Sequence, residues 1–436
     1  MEPRDALTID QIDLSDMRFW QLPWEEREGA FRLLRHERPL AFFKEPEVPP
    51  ELAEFVPQGP GYRAVTRHAD VAEVSRHPEL YQSGKGATSL PDIPEELLEF
   101  LGSLVNTDNP RHAHLRRIVS AAFNPRMIKS IENRIEFVAN DLINKVAERG
   151  ECDFVVDVAA QLPLQTICDM MGIGPSDHST VLYVSNVIAG SGNGVVGASD
   201  PEYIPGDADP LVTLMDACQQ LTTLMSELAE VRRVTPTDDL TSALVNTNIE
   251  GESLSGAEIA SFFILLVVAG NATTRNAISH GLMALTEHPD QRALWQADPA
   301  GIAATGVDEI VRWGSPVIWM RRTVGEPTTL GGEQLEAGDK LLLFYNSANR
   351  DEDVFEDPYR FDVRRTPNPH FGFGAAGPHY CLGAHLARQE IAVLYRQLFE
   401  RLPDIAATSE PDRLRSTFIN GIKHLRCEFT PVAAPR

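Results

Sequence analysis

The densest grouping of chemistry-bearing residues runs from Pro367 to Arg388 and centres on Cys381. Gly372, Gly374, Gly377 and Gly383 punctuate this segment, and backbone without Cβ atoms can pass close to something flat or bulky. From Leu382 onward, Leu386, Ile391, Leu394 and Leu398 recur at near-helical spacing, which places the cysteine where a helix begins. The free N–H groups and positive dipole end of such a terminus stabilise a thiolate. Three roles compete for the sulfur: ligand to a haem iron, nucleophile with His379 as its base, or inert buried thiol. His379 is only two residues away and no oxyanion-stabilising group accompanies it, which disfavours the nucleophile. Inertness is the ordinary fate of a lone cysteine, but it leaves the glycine-rich loop without a purpose.

Gly372-Phe-Gly374-Ala-Ala-Gly377 matches the dinucleotide pattern GxGxxG letter for letter. That pattern works only between a strand and the helix opening from it. Here Pro367 and Pro369 precede it and Pro378 follows, so nucleotide binding is rejected.

The elements that must hold this loop are mostly helical. Helical periodicity dominates from about Arg111 to Trp313, while Tyr62–Thr66 and Lys340–Tyr345 are the better strand candidates. This is not a βαβ alternation, so the expectation is a mainly α fold with small β-sheets. The glycine- and proline-rich stretch Ser191–Pro210 reads as a long loop between helices. Ile259–Met283 reads as one long helix, apolar nearly all round in its first half and therefore central. Its longest apolar run is shorter than the roughly 17–25 residues of a membrane span.

The chain has 436 residues, with 39 Lys+Arg against 63 Asp+Glu and a formal charge of −24. Such a charge argues against broad nucleic-acid or anionic-membrane binding. No signal peptide or transmembrane anchor is expected. The five scattered cysteines form no CxxC pair, which fits a reducing, cytoplasmic setting.

The segment Phe373-Gly374 through His379-Tyr-Cys381-Leu-Gly383, with Leu386-Ala-Arg388, resembles the haem-binding loop of cytochrome P450 monooxygenases. One more residue than usual separates the Phe-Gly from the cysteine, a spacing familiar in bacterial members acting on sterol side chains and methyl-branched lipids. The resemblance extends from about Phe19 to Cys427, and the actinobacterial methyl-branched lipid ω-hydroxylases are its closest flavour. Pro163–Gly172, Val267–Asn271 and Asn420–His424 carry that likeness.

The resemblance implies the triangular-prism P450 fold as one domain over 1–436, with 1–18 as a flexible N-terminal segment. It implies haem b with Cys381 as axial ligand and Phe373, Gly374 and Gly383 against the porphyrin. His112, Arg116, Arg322 and His379 match propionate-binding positions, His112 and Arg116 sharing one helix face at i, i+4. Glu309 and Arg312, three apart on a helix, match a structural Glu-x-x-Arg pair, with Arg360 as the expected third partner. On the oxygen side, Gly270 helps to form a groove for dioxygen and Thr273 supplies a proton-delivering hydroxyl. The simpler alternative is a hydroxyl bonded back to the i−4 carbonyl.

Ala272 stands where the family usually has Asp or Glu, so relay must pass through Thr273, water or another group such as Asn271. Slow or uncoupled turnover is expected. Leu265, Val317 and Phe418 match substrate-wall segments, and Gly84–Val105 and Ser191–Pro210 would cap the pocket. The implied reaction is hydroxylation of an unactivated, terminal C–H of a lipid such as a methyl-branched fatty acid, isoprenoid or sterol side chain. It uses O₂ and electrons from a separate ferredoxin and its reductase. The alternative is a haem-thiolate protein that binds an apolar ligand without efficient oxygenation.

Overall fold

The computed structural model describes residues 2–48, 56–122, 125–191, 199–246 and 254–433. Its axis is the helix Gly256–Glu287, which starts where the sequence offers a capping box. The Ser255 hydroxyl accepts from the Glu258 N–H at 3.2 Å, and the Ser255 N–H donates to the Glu258 carboxylate at 2.8 Å. This is the one described helix long and apolar enough to cross a membrane, yet half of its apolar window is buried among other helices. Gln161–Met171, His178–Gly190, Pro210–Val234 and Pro299–Gly314 all pack against it.

The strands form one five-stranded sheet and smaller pairings. β1 (Phe42–Phe43), β2 (Tyr62–Val65), β3 (Tyr81–Gln82), β4 (Trp319–Val324) and β5 (Lys340–Phe344) lie in the order β1-β2-β5-β4-β3. β2 runs parallel to β5, with Arg63 opposite Leu341, and the other pairs are antiparallel. All five residues of β5 are buried, which explains its unbroken apolar run after Lys340. Lys340 itself is 2% exposed and is neutralised by Glu45 at 2.7 Å and Asp92 at 3.0 Å.

Three expectations need correction. The N-terminal segment packs rather than standing free: Ile12 and Leu14 are buried, the Arg4 N–H donates to the Glu25 carbonyl at 2.8 Å, and the Trp20 indole donates to the Leu14 carbonyl at 2.9 Å. Apolar anchors among its charges were the overlooked signal. The helix after the cysteine begins at Ala384, two residues later than periodicity suggested, because Leu382 and Gly383 shape the turn. The third member of the ion cluster is Arg365, not Arg360.

Glu309 and Arg312 are fully buried and paired through two hydrogen bonds of 2.7 and 2.8 Å, and Arg365 Nε lies 3.2 Å from the same carboxylate. Arg360 leaves its side chain in solvent 3.8 Å from Asp362 and contributes only its carbonyl, which accepts from Arg312 and Arg365. The irregular segment holding both arginines gives no periodicity by which to choose between them. The cluster also fixes the approach to the cysteine loop, since Asn368 donates to Glu309 at 3.2 Å. Glu309→Ala strands two buried guanidinium groups and is expected to cost about 3–5 kcal/mol. Arg360→Ala should fall within about 0.5 kcal/mol of the parent. Urea denaturation of both variants checks the contrast.

Glu390, on the helix Ala384–Arg401, is 2% exposed and its Oε1 has no hydrogen-bond partner. Burial pushes its carboxyl up to about 8, against the modest opposing effect of a hydrogen bond with Thr166. An unfolded-state glutamate ionises near pH 4.5, so the native state binds more protons than the unfolded state between there and pH 8. Stability therefore falls as pH rises through that window. Glu390→Gln removes this slope and is expected to stabilise by about 2 kcal/mol at pH 7, with little effect at pH 5. Urea midpoints of both proteins at the two pH values measure it.

Candidate functional site

Asn349 positions the loop before the cysteine, its carboxamide oxygen accepting the Phe371 N–H at 2.6 Å. The loop then closes on itself where the Cys381 N–H donates to the Phe373 carbonyl at 2.9 Å. Arg116, on the helix Arg111–Ala122, clamps the far side by donating to the Pro378 carbonyl at 2.8 Å and the Tyr380 carbonyl at 2.7 Å. Arg388 lies over the Phe373 ring at 4.3 Å and pairs with Asp308 at 2.8 Å, joining loop, following helix and Glu309 helix.

The four glycines divide by cause. Gly372 and Gly377 are needed for close packing, since a Cβ would come 2.4 Å from Val311 and 2.2 Å from the Ser75 carbonyl. Gly374 has φ +81°, a left-handed conformation that favours glycine. Gly383 has neither reason: an added Cβ there would meet nothing within 4 Å. The space beside Gly383, two residues from the cysteine, is open.

Cys381 is exposed, whereas Cys152, Cys168, Cys218 and Cys427 are buried. Its thiol pKa is nevertheless raised by burial of the sulfur among its neighbours. The N–H groups of Gly383 and Ala384 and the nearby Arg116 and Arg388 act in the opposite direction and favour the thiolate.

A cluster of two arginines and two histidines adjoins this sulfur. His112 and His379 have ring centroids 4.2 Å apart, and Ser83 bonds His379 Nε2 at 3.0 Å. Asp108 secures that serine segment by accepting the N–H groups of Ser83 and Gly84, both at 2.8 Å. Burial, followed by Arg322, His112 and Arg116, drives His379 down to about 2. His112 is lowered by burial and then by Arg116, and its buried Nε2 lacks a partner. Arg322 is buried and lowered by desolvation, and its described hydrogen bond goes to the Arg321 carbonyl. Four basic side chains converge with no ion-paired carboxylate among the described residues. Arg116 and Arg322 supply positive charge, and the two imidazoles, neutral at these shifted values, can supply ring N–H donors to an anionic group. Ser83 and Asp108 were missed in the sequence because they act through ordinary loop hydrogen bonds.

The oxygen-side segment lies along the central helix. Between Ile264 and Thr274, the accessible positions include Leu265, Ala269 and Thr273, spaced by four and therefore on one face. With Leu266, Val268 and Gly270 also partly accessible, this stretch of the central helix is where a ligand can approach. The Thr273 hydroxyl donates to the Ala269 carbonyl at 2.5 Å, the i−4 bond weighed as its simpler role. Ala272 is 1% exposed and buried among apolar side chains.

Asn271 is turned away from Thr273, two positions and about 200° around the helix, and donates to Ser185 on His178–Gly190 at 3.1 Å. It is thus not placed as the relay partner suggested for it. Gly270 serves helix packing, because a Cβ would lie 2.6 Å from Ile167. Val317 and Phe418 are brought together: Val317 bridges Ile419, and the Phe418 carbonyl accepts from Ile318 at 2.8 Å. Leu265 packs with the larger helical core. Within Gly84–Val105 a short helix, Glu95–Gly102, packs on the central helix. Residues 192–198 of the other expected cap lie outside the described residues.

A mainly helical fold presenting a cysteine loop, an arginine–histidine cluster and an accessible stretch of the central helix is the arrangement of the haem-thiolate class of oxygenases. The cytochrome P450 family profile matches residues 65–297 and 304–416, and the chain belongs to that family of monooxygenases. It is 46% identical over 426 residues to a methyl-branched lipid omega-hydroxylase of Mycobacterium tuberculosis, covering 97% of this chain and 96% of that one. A steroid C26-monooxygenase of Mycolicibacterium smegmatis is 39% identical over 374 residues, 85% of this chain and 84% of that one. Among solved structures, a Mycobacterium marinum cytochrome P450 in complex with pseudoionone superposes with a TM-score of 0.88 at 41% identity. It covers 98% of this chain and 100% of that one.

Proposed function

We propose that this protein hydroxylates the terminal carbon of an apolar, methyl-branched lipid, with Cys381 as the haem ligand. His112, Arg116, Arg322 and His379 would hold the propionates, and Phe373, Gly374 and Gly383 would face the ring. The observation that carries this reading is the pairing of an accessible Cys381 with a carboxylate-poor basic cluster. The similarity to the Mycobacterium tuberculosis hydroxylase supports the substrate class.

When bound, thiolate-ligated haem supplies reductive activation of O₂ and transfer of one oxygen atom to a C–H bond. The chain's own residues supply the rest. The Gly383 and Ala384 N–H groups favour charge on the sulfur; Arg116 and Arg322 would neutralise the propionates, with His112 and His379 as hydrogen-bonding partners. Leu265, Val317 and Phe418 offer apolar surface that excludes water from the reacting carbon. Thr273 holds its proton on the Ala269 carbonyl and must release that bond to deliver it elsewhere. Electrons would come from a ferredoxin and its reductase, in the cytoplasm.

Spectral titration with methyl-branched, straight-chain and sterol lipids, followed by product analysis with a reconstituted ferredoxin system, tests the proposal. The expected result is a substrate-induced spin shift that is tightest for methyl-branched chains, with a terminal alcohol as product. A shift accompanied by no alcohol would favour the ligand-binding alternative. Product only at internal carbons would overturn the terminal assignment.

A further inference from the structure

Arg275 lies on the central helix and is only 3% exposed. Among the described residues it forms no ion pair with a carboxylate, and its Nε has no hydrogen-bond partner. Its other contacts are neutral: Nη1 donates to the Asn186 side-chain oxygen at 2.7 Å, and the Tyr203 phenol is beside it. Burial lowers its pKa, as expected of a guanidinium without a counter-ion. Glu202 acts on it only at a distance, and that carboxylate is already engaged by Lys423 at 2.8 Å and His424 at 3.0 Å.

Helical side chains lean toward the N-terminus, so the Arg275 head lies over the turn containing Asn271 and Ala272. Asn271 is fully buried and its Oδ1 also lacks a partner. One helical turn therefore carries an orphaned donor and an orphaned acceptor on neighbouring positions. Across from it, Asn186 and Ala189 are three apart on His178–Gly190, and Ala189 and Ala272 belong to one apolar cluster. Ala272 stands three positions before Arg275, and Ala189 three positions beyond the Asn186 that Arg275 touches.

We propose that Arg275, Asn271 and Asn186 form a binding site for a small carboxylate of formate or acetate size beside Ala272. A carboxylate oxygen accepts from Arg275 Nε, and in the protonated form the acid O–H donates to Asn271 Oδ1. The ionised form offsets the guanidinium charge and the protonated form satisfies Asn271 Oδ1, whereas a halide has no O–H to donate. The bound acid occupies the region from which a carboxylate at position 272 would act, one residue from Thr273. Binding stands independently of the proposed reaction; any gain in coupling rests on that reading.

Thermal unfolding of the ferric holoprotein in rising sodium formate, against sodium chloride at equal ionic strength, tests the site. Once formate exceeds half-saturation, the midpoint should rise by about 1–2 °C per tenfold increase, with no such rise in chloride. Ala272→Glu supplies an internal carboxylate to Arg275, and Arg275→Gln removes the cation. Both should abolish the formate-specific shift. If Arg275→Gln does not fold, Ala272→Glu alone decides. Formate should also raise product per NADH several-fold in the parent and not in Ala272→Glu. Equal shifts in formate and chloride, or a formate shift that persists in Ala272→Glu, would overturn the site. A lost shift without any change in coupling upholds binding and places the failure in the oxygenation reading.

Discussion

Cys381→Ser is expected to lower lipid hydroxylation at least about a thousandfold, about 4 kcal/mol in barrier height. The hydroxyl keeps the volume and the two backbone N–H groups but does not ionise to a soft, electron-donating ligand. Cys218→Ala is the control. Cys218 is fully buried, its thiol is pushed up to about 11 by desolvation, and it lies in the helical core. That variant should lose only packing energy, about 1–3 kcal/mol, and retain activity per bound haem. Initial rates normalised to haem content separate the two effects. Comparable losses in both variants would show that sulfur at position 381 has no special role.

Ala272→Glu is expected to raise product formation per electron pair by about 10–100-fold, at or below the lower end of what a well-placed general acid contributes. The physical argument rests on neighbours already in place. Arg275 is three positions on, buried and without a described ion pair, so the new carboxylate gains a partner at i, i+3. That pairing offsets the cost of placing a charge at a position now 1% exposed. Thr273, the adjacent hydroxyl on the accessible stretch, then has an acid beside it rather than only the Ala269 carbonyl. Peroxide and alcohol yields per NADH, measured on parent and variant, test the idea. Equal coupling in the two proteins would mean that the parent already delivers protons by another route.

Much of the architecture was legible from residue patterns. The 3.6-residue period marked the central helix, and the apolar run after Lys340 marked β5, because both elements are buried on most sides. The cysteine loop stood out because four glycines, flanking prolines and a following helical period coincide within twenty-two residues. What escaped was tertiary. The choice of Arg365 over Arg360 depends on how an irregular segment folds back on Glu309. Asn271 was a plausible relay by adjacency, but a helix turns it toward Ser185. Gly270 looked like room for a ligand, whereas Ile167 occupies the space its missing Cβ leaves. The unpaired Arg275 was invisible in the sequence because an arginine on a helix ordinarily finds solvent or a carboxylate.

The central claim is that the sulfur of Cys381 donates to haem iron. The most direct test is the absorbance spectrum of the purified, dithionite-reduced protein under carbon monoxide. A Soret band at the strongly red-shifted position that thiolate ligation gives is expected. A band only at the position given by imidazole or neutral ligands, in protein that retains its haem and its fold, would contradict it.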